Sequence, residues 1–113
     1  MSKRDVLLYQ QIGERLKDRR IKLGLTQAQL AEKIGEMRRT SITNIEAGRQ
    51  HPPLHVLYDL CQVLGFEIME LLPTIAELEQ VDYVAVTIDG KTKKYPPKSA
   101  KLLKELIDGG VDE

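Results

Sequence analysis

Few side chains in this sequence are spaced for reaction chemistry. His51 and His55 stand four residues apart, but Pro52 and Pro53 lie between them and no Cys or carboxylate neighbour completes a metal site. Cys61 is the single cysteine, which excludes an internal disulfide and a multi-cysteine zinc cluster. It falls on an apolar helical stripe, where a buried structural thiol is expected. The Glu residues show no paired arrangement tied to a nucleophile or to a glycine-rich phosphate loop. The expectation is therefore no enzyme, no metal and no cofactor. What remains is a run of small polar side chains, Thr40, Ser41, Thr43 and Asn44, bracketed by Arg38, Arg39 and Arg49. These groups hydrogen-bond rather than react. Alone they read as an ordinary solvated helix face.

The elements that must carry them follow from periodicity and punctuation. Leu8, Tyr9, Ile12 and Leu16 recur at helical spacing within a first helix that ends at Gly24. Thr26 and Gln29 form a capping box that opens a second helix, with Leu30, Ala31 and Ile34 inward and Gly35 at its end. A third helix is expected from about Thr40 to Ala47, with Ile42 and Ile45 inward and the polar set outward. The fourth runs Leu54–Leu64 on a stripe of Leu54, Leu57, Leu60, Cys61 and Leu64, and a short fifth spans Glu67–Leu72. Thr74 and Glu77 offer a second capping box.

Beyond Pro73 the pattern changes. The segment Tyr83–Ile88 is β-branched and aromatic, Asp89-Gly90 is a strong two-residue hairpin signal, and Lys91–Tyr95 reads as a polar edge strand. Pro96 and Pro97 break it. A final helix from Ser99 to Ile107 carries Leu102, Leu103, Leu106 and Ile107, and Gly109-Gly110 should end the ordered chain. The fold expected is mainly α: a five-helix domain over residues 1–72, then a C-terminal extension over 73–113 with a hairpin and a last helix.

The series of motifs resembles a known family. The stretch RIKLGLTQAQLAEKIG (20–35), the stretch SITNIEAGR (41–49) and the later Leu64-Gly65 with Leu71 follow the order LTQ-x-x-LA-x-x-x-G, I-x-x-x-E-x-G, LG-x-x-x-x-x-L. This is similar to the phage-repressor-like (Xre, Cro/repressor) helix-turn-helix regulators over residues 10–72. The resemblance implies a five-helix DNA-binding domain, a cytoplasmic setting and double-stranded DNA as partner. A recognition helix must offer small polar groups to base edges on the floor of a groove about 12 Å wide. By similarity, Arg39, Thr40 and Asn44 fall on base-reading positions, with Arg38 beside them and Thr43 on the same face. Ser41 and Gln27 fall on phosphate-holding positions, and Arg49, Gln50 and His51 match a loop that tracks the backbone. Arg20 and Glu46 match a structural ion pair between the first helix and the recognition helix. One departure stands out. Gly35 and Glu46 are eleven steps apart, one more than is usual in the family, which puts Arg38 where a Ser or Asn cap is usual.

The resemblance also implies a homodimer on a palindromic operator, most simply a repressor. A lone two-stranded hairpin is marginal in water. The expectation is that two copies pair Tyr83–Ile88 across a two-fold axis, placing Tyr83, Val84, Val86 and Ile88 at the interface. The last helix would lay Leu102, Leu103, Leu106 and Ile107 over that sheet. The alternative is an antitoxin that uses the extension to bind a toxin protein.

Composition bounds these readings. The chain has 113 residues, 42% hydrophobic and 30% charged, with 4% aromatics, so its core rests on Leu, Ile and Val. Its apolar runs are far short of the ~20 residues a membrane span needs, and the N-terminus lacks a signal-peptide core. The 17 basic and 17 acidic residues cancel. That balance hides an asymmetry: residues 1–72 carry 11 basic and 9 acidic, residues 73–113 carry 6 and 8. The basic cluster Arg15, Lys17, Arg19, Arg20 and Lys22 reads as a solvated face, with phosphate contact expected nearest Lys22.

Overall fold

The first two helices begin where a side chain caps them. In the computed structural model, which describes residues 1–109, α1 spans Lys3–Lys22. It starts ahead of its first apolar residue because Ser2 accepts the Asp5 amide and Asp5 complements the helix dipole. A side-chain hydrogen bond with Ser2, joined by one from Arg4, holds the Asp5 carboxyl below its ordinary pKa. The second helix, α2 (Gln27–Ile34), has the complete Thr26–Gln29 capping box. The third, α3, spans Arg39–Glu46, one residue earlier than the sequence suggests. Arg38 takes the extended backbone of a cap, at φ −92° and ψ 153°, but supplies no capping side chain. Then come α4 (Leu54–Leu64) and α5 (Ile68–Leu71).

These five helices belong to a first unit, Met1–Pro73. Its core joins Ile12 and Leu16 of α1, Leu30 and Ala31 of α2, Ile42 and Ile45 of α3, and Leu57, Leu60, Cys61 and Leu64 of α4, with Leu71 of α5. Leu54 departs from the expected stripe: it sits in the first turn of α4, just after Pro53, and is exposed. Ile21 and Leu23 are also exposed, past the last core turn of α1.

The second unit begins at Thr74. It holds α6 (Ile75–Glu79), β1 (Val84–Ile88), β2 (Lys91–Tyr95) and α7 (Pro97–Gly109). The strands pair antiparallel from Val84 with Tyr95 to Ile88 with Lys91. Asp89 and Gly90 both have positive φ, 51° and 73°, the geometry of a type I′ turn matched to strand twist. Pro97 opens α7 rather than only ending the strand, as proline's fixed φ favours the first helical turn. Helix α7 packs on the hairpin. Within this unit Val86 and Ala100 are buried, and Val84, Ile88 and Leu103 are half-buried. Here the expected packing is corrected. The buried line of α7 runs through Ala100 and Leu103, three residues apart, so Leu102 and Leu106 fall on the neighbouring stripe and stay 56% and 62% exposed, with Ile107 at 41%. The expected end of order at Gly110 lies outside the described residues.

Candidate nucleic-acid interface

The outer face of α3 carries Arg39 and Thr40 exposed, with Ser41, Thr43 and Asn44 half-buried beside its core side. Arg38 is exposed just before the helix. Arg39, Thr40, Thr43 and Asn44 line one shallow groove. A second depression brings Arg39 of α3 against Thr26, Gln27 and Ala28 at the start of α2. There the free amides of a helix N-terminus favour an anion.

Two features fix how far α3 stands from α1. Gly13 packs where a Cβ would meet the Ile45 and Glu46 carbonyl oxygens at 2.4 and 2.5 Å, so only glycine permits this crossing. At the end of both helices, Arg20 Nε donates to Glu46 Oε2 at 2.6 Å and Nη2 to Oε1 at 3.0 Å. Nη1 of Arg20 also donates to the Leu25 carbonyl at 2.8 Å. Both residues are buried, at 8% and 7% exposure. The hydrogen bond to Glu46 raises the Arg20 pKa against the opposing effect of burial, so the guanidinium keeps its charge.

The network extends outward. Gln27 Nε2 donates to Glu46 Oε1 at 3.0 Å, and the Thr43 hydroxyl donates to Gln27 Oε1 at 2.6 Å while lying 3.1 Å from the Arg39 carbonyl. Thr43 therefore does not simply face solvent: its hydroxyl ties α3 to α2. The Gln27 carboxamide is held in that link, with its backbone amide at the head of α2.

Asn44 is joined to the following loop. Its carbonyl accepts the Arg49 and Gln50 amides at 2.9 and 3.1 Å across a turn made by Gly48, φ +77°. Its side-chain Oδ1 accepts both Arg49 Nε and Nη2, at 3.2 and 3.1 Å. His51 stacks on Tyr9 of α1, with ring centroids 3.8 Å apart and planes 11° from parallel. That stack holds the loop Arg49–His51 against the first helix.

For Arg15 and Arg19 of the basic cluster on α1 the expected solvated face is corrected, while Lys17 and Lys22 are exposed. Arg19 donates from Nε to the Leu64 carbonyl at 2.9 Å and from Nη2 to the Gly65 carbonyl at 2.7 Å, with its guanidinium 5.1 Å from the Phe66 ring centre. Arg15 donates to the Glu70 and Leu71 carbonyls. With Arg20 on Glu46, these three arginines hold the ends of α3, α4 and α5. Cations there satisfy orphan carbonyls and complement the helix dipoles. Periodicity alone did not reveal this, since the partners are main-chain atoms some 45 to 56 residues away. Cys61 is 4% exposed, and burial raises its thiol pKa, aided by Glu67 and Glu70. It stays a protonated core side chain. No helix among the described residues is long and apolar enough to cross a membrane.

Comparison with known proteins points the same way as the geometry. Residues 16–71 match the family model described as Helix-turn-helix (HTH_3). An uncharacterized HTH-type transcriptional regulator from Archaeoglobus fulgidus is 37% identical over 57 residues, covering 50% of this chain and 80% of the relative. Among solved structures, the restriction-modification controller protein C.AhdI from Aeromonas hydrophila is 30% identical with a TM-score of 0.54, covering 57% of this chain and 96% of that one. The S. venezulae BldD DNA-binding domain is 26% identical, also with a TM-score of 0.54, over 59% of this chain and 99% of that one. The family match ends at residue 71, ahead of the second unit. The chain belongs to the Xre-like helix-turn-helix family of DNA-binding transcriptional regulators.

Proposed function

We propose that this regulator acts as a homodimeric repressor on a palindromic double-stranded operator in the cytoplasm. The observation that carries the reading is the outward face of α3, held on α1 by the buried Arg20–Glu46 pair and on α2 by the Gln27–Thr43 bond. A face fixed at two points presents Arg39, Thr40 and Asn44 as a unit. In this reading those three, with Arg38, reach base edges. Ser41 and the amide at Gln27 hold phosphate, and Arg49, Gln50 and His51 follow the backbone. Residues 74–113 serve as the dimerisation element. Strand β1 has only β2 as a partner among the described residues, which leaves its other edge open to a second copy. Two-fold pairing would set the recognition helices about 34 Å apart, one turn of DNA. A single small module reads too few bases for genome-scale specificity.

Selection of bound duplex from a random pool tests this. A two-fold symmetric site with half-sites one turn apart supports the proposal, whereas recovery without sequence enrichment overturns it. The antitoxin reading rests on the same second unit: the exposed Leu102 and Leu106 stripe and the open strand edge suit a protein partner as well as a second copy. Stable co-purification with the product of an adjacent gene favours it, as does loss of that complex on deleting residues 81–113.

A further inference from the structure

The fork between Arg49 and Asn44 bears on which base is read. A carboxamide matches adenine by pairing an acceptor, its oxygen, with the adenine N6 donor and a donor, its NH2, with N7. In this protein the oxygen is already engaged. Arg49 Nε and Nη2 both donate to Asn44 Oδ1, at 3.2 and 3.1 Å. A guanidinium has donors only, so the oxygen and not the NH2 must face it. A carbonyl oxygen has two lone pairs, and the fork takes both.

The arrangement is built into the backbone. The Asn44 carbonyl accepts the Arg49 and Gln50 amides, and Gly48 supplies the left-handed turn that brings the chain back over residue 44. Arg49 is thus placed by the same residue whose side chain it orients. Asn44 is half-buried and lines the groove of α3 with Arg39, Thr40 and Thr43.

We infer that Arg49 is a positioning residue that locks the Asn44 amide as a donor-only reader, so that the chain selects guanine rather than adenine at the base Asn44 meets. Guanine offers two acceptors, N7 and O6, on its major-groove edge, and one nitrogen with two hydrogens bridges them as a lysine ammonium does. Adenine sets its N6 donor against the NH2 and leaves that hydrogen unpaired. The inference rests on Asn44 being a base reader, as proposed above.

The experiment is selection from a random duplex pool with the full chain and its Asn44→Ala, Arg49→Met and Arg49→Lys variants. Circular dichroism checks that each keeps its helices; Arg49 is exposed, so none of its changes opens the core. The column that loses its preference in Asn44→Ala is the one Asn44 reads. Guanine is expected there in the unaltered protein. Arg49→Met should swing the guanine-to-adenine ratio in that column by about tenfold or more toward adenine, the size of one bidentate base contact, with the other columns kept. Arg49→Lys retains the charge without the fork and should relax the same column. Adenine in that column in the unaltered protein, or a column indifferent to both Arg49 changes, overturns the inference. If no column responds to Asn44→Ala, it is the base-reading role of Asn44 that fails, a result separate from either.

Discussion

Arg20 and Glu46, 26 positions apart in the chain, meet edge to edge in a two-bond ion pair that closes the angle between α1 and the recognition helix. Their side chains are 10% and 4% exposed. A pair this enclosed gains from attraction roughly what it loses in desolvation, but breaking it strands one charge. Arg20→Ala or Glu46→Ala should each lower unfolding free energy by about 3–5 kcal/mol. Arg20→Met combined with Glu46→Leu should cost less than either. Urea unfolding followed by circular dichroism measures all three. A double variant as unstable as the sum of the singles would show that the pair has no coupling.

Gly13 controls the same crossing two turns earlier on α1. A methyl group there lands within 2.5 Å of the α3 backbone, which cannot step aside as a flexible side chain does. Gly13→Ala should destabilise by about 1–3 kcal/mol despite alanine's better helix propensity. Thermal unfolding reads the loss. A more stable variant would mean that α1 slides freely over α3.

Arg19 separates structural from phosphate-binding arginines. Its bonds to the Leu64 and Gly65 carbonyls and its place over Phe66 predict a loss of about 1–3 kcal/mol for Arg19→Ala. The dependence of DNA affinity on salt should keep its slope, because each lost phosphate contact lowers that slope by about one. Titrations at several salt concentrations measure it. A drop of one in Arg19→Ala would move this residue to the duplex.

Deleting residues 81–113 removes both strands and α7, which pack with one another. Light scattering should then give a monomer mass, with weakened binding to a two-site palindrome and unchanged binding to one half-site. A dimer that survives the deletion would place the interface on the five-helix unit.

Much of this was legible in the sequence because it is local. Capping boxes need residues three apart, so Thr26–Gln29 and Thr74–Glu77 announced their helices. Asp89-Gly90 specified its own turn through backbone preference. The motif series identified Arg20 with Glu46 and the face that α3 turns outward. Arg38, a poor cap, marked an irregular start, and the helix there begins at Arg39 with no side-chain cap.

Tertiary structure decided what the polar side chains do once placed. The five basic residues in the second half of α1, Arg15 to Lys22, look alike in sequence. Only the packing of α4 and α5 brings carbonyls to Arg15 and Arg19, and that of α3 a carboxylate to Arg20. Thr43 and Gln27 read separately as contact residues, yet the step from α2 to α3 sets them 2.6 Å apart and joins them. The apolar spacing of α7 is helical on either stripe; the narrow hairpin covers only the one through Ala100. Hydrophobic period and capping act over three or four residues, so the sequence alone determines them. Hydrogen-bond partners at long separation depend on where whole helices come to rest, which the sum of core contacts settles and no local pattern records.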